Sequence, residues 1–259
     1  MIPPFSLPTE LADIIGRRLW RRITIGESHC TVFRLTASGQ PDLILKTQAH
    51  HPLRSLAGEA ARLRWLHGRA PVPAVLTFVR DAARDFLLRA ALPGTDAATS
   101  TLAPARRVDL LADALRQLHA IRTDDCPFRQ DVATCLAEAE SLLAAGQLDP
   151  GNFAASHRGR TPADLLAELV ATPPAAETAV FTHGDYCLPN VLIARARLSG
   201  FVDLGRAGLG DPCRDLALVG RSLERNLAPG WAAAFFRRYG RPGPDPARLR
   251  YFRLLDEFT

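Results

Sequence analysis

Three polar side chains between His183 and Asp203 stand at intervals that could do chemistry together. Asp185 and Asn190 are five positions apart, and Asp203 follows thirteen later. Short apolar runs of strand character flank them: Ala179–Thr182 before, Val191–Ala194 and Leu198–Val202 after. A strand that ends in polar residues presents them at a rim, where a ligand can reach them. The order His183-x-Asp185-x-x-x-x-Asn190, then Asp203-Leu204-Gly205, is the pattern of a catalytic loop followed by an Asp-x-Gly turn. The chemistry it suits is phosphoryl transfer: one carboxylate orients a hydroxyl, while an amide and a second carboxylate hold Mg²⁺ on the phosphates. Either tripeptide alone reads as an ordinary turn. Together, in this order and with strands between, they point to a site.

Composition marks a fourth residue. Of 32 lysines and arginines, Lys46 is the sole lysine. A compact ammonium on a flexible stem suits a phosphate contact where a planar guanidinium is too wide; coding bias is the bland alternative. Lys46 lies near the end of an expected strand, Asp42–Thr47. The helix expected next, Arg54–His67, has Leu56, Ala60, Leu63 and Leu66 at helical spacing. Glu59 stands beside that face and could reach Lys46, the ion pair that in kinases holds the lysine on the α- and β-phosphates. On a solvated face it would be an ordinary surface acid. Strands are also expected at Trp20–Ile25 and Thr31–Thr36. The turn joining them has one glycine, so it carries no phosphate-loop motif. Its main-chain N–H groups and the Ser28 hydroxyl could still contact a phosphate, and a plain hairpin turn would look the same.

Further strands are expected at Val75–Val79 and Asp85–Ala91, before the break at Pro93-Gly94. From residue 95 the pattern turns helical, with helices over Val108–His119, Asp131–Ala145, Pro162–Ala171, Asp215–Leu227, Gly230–Tyr239 and Pro246–Phe258. A short helix is expected at Pro8–Ile15. The 259 residues can bury a large core as one big domain or two lobes. No apolar run is long enough to span a membrane, and MIPPFSLPTE does not read as a signal peptide, which implies the cytoplasm. Five cysteines without a C-x-x-C pair imply free thiols. The net charge of +5 invites a nucleic-acid reading. The arginines are scattered, with no stripe interleaved with aromatics, so neither nucleic acid nor membrane is expected as a partner.

The runs HGDYCLPNVL, SGFVDLGRAGLGDPCRDLAL and YFRLLDEFT, with GEAARLRWLHG, CPF and HRGRTPADLLAEL ahead of them, resemble the bacterial aminoglycoside 3′-phosphotransferases over most of the chain. The resemblance implies an α+β, protein-kinase-like fold of two lobes with a cleft between. A small antiparallel-sheet lobe with one helix, residues 1–92, would bind nucleotide. A larger, mostly helical lobe, 93–259, would carry catalysis and substrate. The implied reaction moves the γ-phosphate of ATP or GTP, with Mg²⁺, to an aminoglycoside 3′-hydroxyl, in a monomer. Asp185 would be catalytic, Asn190 and Asp203 the metal ligands, and Lys46, Glu59, Ser28 and the main chain of Ala90 and Leu92 the nucleotide contacts. The arginine in the segment Arg89–Leu92 is unusual for the edge of an adenine pocket. Arg206, Arg221, Asp256, Glu257 and Thr259 would meet the acceptor.

Aminoglycosides are polycations, and the family binds them with clustered carboxylates. Here the sequence departs from it. Asn152–Ser156 stands where the family has several acids, Arg225-Asn226 where some members have Glu and Asp, and Thr259 where relatives commonly end in Phe. A kinase of another, less cationic hydroxylated substrate is therefore the alternative. A catalytically silent nucleotide-binding protein is disfavoured by the presence of Lys46, Glu59, Asp185, Asn190 and Asp203. A protein kinase is disfavoured by the missing A-P-E segment and glycine-rich loop.

Overall fold

The computed structural model describes residues 5–24, 30–51, 55–241 and 243–258, with residue 152 described in its main chain only. Ser28 and Thr259 lie outside the described residues. By contact the chain forms two compact units: Met1–Ser100 with Pro189–Gly205, and Thr101–Leu188 with Arg206–Thr259.

The first unit begins with α1 (Thr9–Ile15), β1 (Leu19–Ile23), β2 (Thr31–Thr36), β3 (Leu43–Ala49), α2 (Leu56–Leu66), β4 (Val75–Arg80), β5 (Arg84–Ala90) and the two-residue β6 (Thr95–Asp96). The first five strands form an antiparallel sheet in the order β1-β2-β3-β5-β4. Alternation divides its central strands between two faces. Leu43, Leu45, Phe86 and Leu88 pack with Phe33, Leu35 and, from α1, Leu11 and Ile15. Ile44 and Lys46 therefore point to the opposite face. In the β3–β5 register Ile44 faces Arg89 and Lys46 faces Leu87, so Arg89 shares the Lys46 face. Ser55 caps α2 by accepting from Ala57 N (3.1 Å) and donates to Asp85 Oδ2 (2.9 Å). Asp85, fully buried on β5, also accepts from Leu56 N at 3.2 Å. This anchor sets α2 on the sheet with Glu59 on its buried side.

The chain continues through α3 (Pro104–His119), α4 (Val132–Ala144), α5 (Pro162–Ala171) and β7 (Val180–Thr182). It returns to the first unit as the hairpin β8 (Val191–Ala194) and β9 (Arg197–Phe201), which pairs with β6. Arg195 and Ala196, at the turn, have φ of 50° and 58°, the left-handed pair of a type I′ turn built without its usual Asn-Gly. Gly94 (φ 96°) is required where β8 passes, since a Cβ there would fall on the Ile193 carbonyl. In the second unit again, β10 (Gly208–Gly210) pairs with β7, and α6 (Pro212–Asn226), α7 (Trp231–Tyr239) and α8 (Pro246–Asp256) complete the chain.

The contact boundaries differ from the single cut expected after Leu92. The first unit runs on to Ser100 and takes back residues 189–205, because β6 is hydrogen-bonded to β8. Residues 95 onward are thus not helical throughout. Helix α6 starts before the expected Asp215. Asp211 caps it, accepting from Cys213 N at 2.8 Å, with Pro212 at the first helical position. All five cysteines are free, Cys135 and Cys213 buried and the others half-buried. Among the described residues no helix is long and apolar enough to cross a membrane.

Candidate active site

In the first unit the Lys46 ammonium is enclosed, 6% exposed. Its Nζ donates to Glu59 Oε2 at 2.8 Å and also to Asp203 Oδ1. Burial alone would lower its pKa, but the Glu59 and Asp203 carboxylates outweigh that and hold it above the ordinary lysine value. Lys46 is therefore a fixed cation. The ion pair expected from the position of Glu59 beside the α2 face forms. Asp203 has φ of 62°, a left-handed conformation that costs a non-glycine residue about 1 kcal/mol or more. Backbone strain of this kind gathers at functional positions. Val202 N donates to Asn190 O at 3.0 Å, and Val191 pairs with Phe201. The β8–β9 hairpin thus brings Asn190 and Asp203 to one end. At the end of β5, Ala90 N donates to Ala74 O (2.9 Å) and Ala91 N to Asp42 O (3.0 Å). The N–H of Ala90, one of the expected nucleotide contacts, is therefore already engaged. Among the described residues the N–H of Leu92 makes no main-chain hydrogen bond.

In the second unit the loop after β7 hangs on Asp215, a fully buried carboxylate on α6. Its oxygens accept from His183 N (2.8 Å) and Gly184 N (2.9 Å), and it meets His119 Nε2 at 2.9 Å. His119 Nδ1 lies 2.7 Å from the Tyr239 hydroxyl. An ionised carboxylate can only accept, so His119 presents Nε2–H to Asp215. Burial pushes the Asp215 carboxyl up, but His119 and the loop N–H groups outweigh it and hold the group below its ordinary value. Leu188 N donates to Ser222 Oγ (3.0 Å) and the Tyr186 hydroxyl to Leu111 O (2.8 Å). His183 braces the loop from within, its Nδ1 accepting from Asp185 N at 3.3 Å. Gly184 (φ 81°) lies so close to the residue after the Asp-x-Gly motif that a Cβ would fall on the Arg206 carbonyl.

Asp185, half-buried at the end of this loop, has Arg206 Nη2 at 3.5 Å. Arg206 Nη1 donates to Asp256 Oδ1 (3.1 Å), and Arg221 Nη2 donates to Asp256 Oδ2 (2.5 Å). Arg221 Nη1 lies 3.9 Å from Glu257, whose Oε2 accepts from Ala154 N at 3.0 Å. Burial works against the Asp256 charge, but the two guanidiniums outweigh it and hold the carboxyl below its usual range. The four described residues expected at the acceptor, Arg206, Arg221, Asp256 and Glu257, do come together. Asp256, however, spends its charge on arginine.

Asp215, His119, Tyr239 and Ser222 were not singled out by the sequence. The available signal was Asp215 itself, a charge set among apolar residues in the run GDPCRDLAL.

The model of the phosphotransferase enzyme family matches residues 20–252. The chain is 34% identical over 254 residues to an aminoglycoside 3′-phosphotransferase from Niallia circulans, covering 97% of both. The crystal structure of an aminoglycoside-3′-phosphotransferase of type VIII matches with TM-score 0.85 at 35% identity, over 96% of this chain and 97% of that one. The aminoglycoside phosphotransferase APH(3'')-Id from Streptomyces rimosus, solved with ADP and streptomycin, matches with TM-score 0.79 at 29% identity, over 96% of each chain. The chain belongs to the phosphotransferase enzyme family. Its fold is α+β and protein-kinase-like, as expected, and its enzyme class is phosphotransferase.

Proposed function

We propose that the protein transfers the γ-phosphoryl group of a nucleoside triphosphate to the 3′-hydroxyl of an aminoglycoside, conferring resistance, as a cytoplasmic monomer. The observation that carries the reaction is the buried Lys46 cation held between Glu59 and Asp203. Lys46 neutralises phosphate charge, and Glu59 fixes its position. Asn190 and Asp203 offer an amide oxygen and a carboxylate. That set fits Mg²⁺, which binds through one or two carboxylates together with phosphates and retained waters. When bound, the ion neutralises charge developing on the transferring phosphoryl group. Asp185 receives or orients the proton of the attacking hydroxyl, and Arg206 holds that carboxylate in place. A loose transition state asks little of a base, so positioning dominates.

Glu59→Gln tests the Lys46 arrangement. Without the charge of Glu59, Lys46 bonds more tightly to Asp203 and withdraws that carboxylate from the metal. A charge-assisted hydrogen bond of this kind corresponds to about tenfold or more. The KM for nucleotide is therefore expected to rise by at least that factor, in steady-state kinetics with acceptor saturating. An unchanged KM would remove Glu59 from the nucleotide site.

The acceptor rests on the relatives, which are 3′-phosphotransferases by name. A second reading, a less cationic hydroxylated acceptor, is favoured by one observation. Asp256 is neutralised by Arg206 and Arg221, and residues 153–160 contain no carboxylate. Nucleoside diphosphate release, with ATP and GTP each supplied, separates the two. Kanamycin and neomycin should support turnover, and tobramycin, which lacks a 3′-hydroxyl, should not. Turnover with streptomycin alone would move the transfer to another hydroxyl, and turnover with none of them would favour the second reading.

A further inference from the structure

Arg89 is a buried charge that this mechanism leaves without a task. It lies on β5 and is 8% exposed. Its Nε is enclosed with no hydrogen-bond partner. Among the described residues the guanidinium has no ion pair or side-chain hydrogen bond. Arginine is almost never buried unless paired, and of this guanidinium only the Nη ends are left within reach of solvent. Those Nη donors can meet a partner that arrives from outside.

The sheet register says where that partner sits. Lys46 opposes Leu87, and Arg89 is two residues further along the same strand. Arg89 and Lys46 are thus diagonal neighbours on one face, about 7–8 Å apart along the sheet. Beyond Arg89 the N–H groups of Ala90 and Ala91 are consumed, and the next main-chain donor without a main-chain acceptor among the described residues is that of Leu92. Three donors therefore follow one another: the Lys46 ammonium, the Arg89 guanidinium and the Leu92 N–H.

We propose that Arg89 reads the nucleotide base and that the phosphoryl donor is a 6-oxopurine nucleoside triphosphate, GTP. The inference rests on the reading above that phosphates lie at Lys46. A guanidinium only donates hydrogen bonds. Guanine O6 and N7 both accept, and arginine spans them with two parallel bonds. Adenine places an amino donor at the 6-position, so one N–H of Arg89 would face another donor and stay unpaired.

Isothermal titration of the full chain with the Mg²⁺ complexes of GDP, ADP and IDP tests this without any acceptor. Wild type is expected to bind GDP about tenfold or more tightly than ADP. IDP, which keeps O6 and N7 but lacks the 2-amino group, should follow GDP. In Arg89→Leu, which replaces the charge by apolar bulk, GDP should lose its advantage, leaving the three within about twofold. Arg89→Lys, with a point charge in place of the fork, should fall between. If the leucine variant does not fold, the wild-type order and the lysine variant still decide. ADP bound as tightly as GDP or more tightly in wild type overturns the inference alone. So does a GDP preference that IDP does not share or that survives in Arg89→Leu. No binding by any of the three overturns the phosphoryl-transfer reading with it.

Discussion

Asp185→Ala is expected to lower turnover by about 10²–10⁴-fold, the range typical of a positioned acid or base, with nucleotide affinity changed by no more than about twofold. The loop that carries Asp185 does not depend on the side chain being removed. Its hydrogen bonds run from His183 N, Gly184 N and Leu188 N to Asp215 and Ser222. Truncation therefore takes away the carboxylate and leaves its mount. The cation that would hold phosphate, Lys46, has its partners on α2 and after β9, so donor binding should persist. Single-turnover product formation with the nucleotide prebound reads the chemical step directly. Asp185→Asn keeps the shape and one hydrogen-bond acceptor. If positioning dominates, it should recover part of the loss, and a loss equal to that of the alanine variant would assign the effect to proton acceptance. Near-normal turnover in Asp185→Ala would sink the mechanism.

The residues legible in the sequence were those whose meaning is local. Asp185, Asn190 and Asp203 stand at intervals short enough to recognise, and Lys46 stands out by composition. Glu59 could be paired with it because a helix following a strand returns across that strand. What the sequence hid depends on contacts made far along the chain. Asp215 carries the loop from 31 and 32 positions away, and only the packing of α6 under β7 shows it. Asp256 reads as an acid open to a cationic acceptor. In the fold its partners Arg206 and Arg221, 50 and 35 positions distant, already hold it. The strands β6 and β10, two and three residues long, are too short for alternation to register. The hairpin turn at Arg195-Ala196 carries none of the residues that announce such turns. Arg89 is the intermediate case: its type is odd in the sequence, but only the β3–β5 register puts it on the Lys46 face.

Asp215→Ala should damage stability and turnover together, although Asp215 need touch neither substrate. It leaves three enclosed donors, His183 N–H, Gly184 N–H and His119 Nε2–H, with their acceptor gone. An enclosed donor left without its acceptor costs about 1–3 kcal/mol, and three of them in a chain of this size lower Tm by on the order of 10 °C. A loop displaced by about 1 Å can lose roughly 10²-fold in rate, so kcat should fall while the KM for nucleotide moves little. Asp215→Asn gives the cleaner test. Its amide keeps one oxygen for one loop N–H but turns an NH₂ toward another donor, so it too should be less stable than wild type. The pH dependence has a definite sign. The folded carboxyl is held below its ordinary value, so its stabilisation is complete above the unfolded value of about 3.9 and is lost as pH falls through the folded one. The Tm gap between wild type and Asp215→Asn should be constant from about pH 7 to 5 and should narrow below about pH 4. A gap that widened in acid, or a variant as active and stable as wild type, would mean that the loop is held in place by something other than the Asp215 charge.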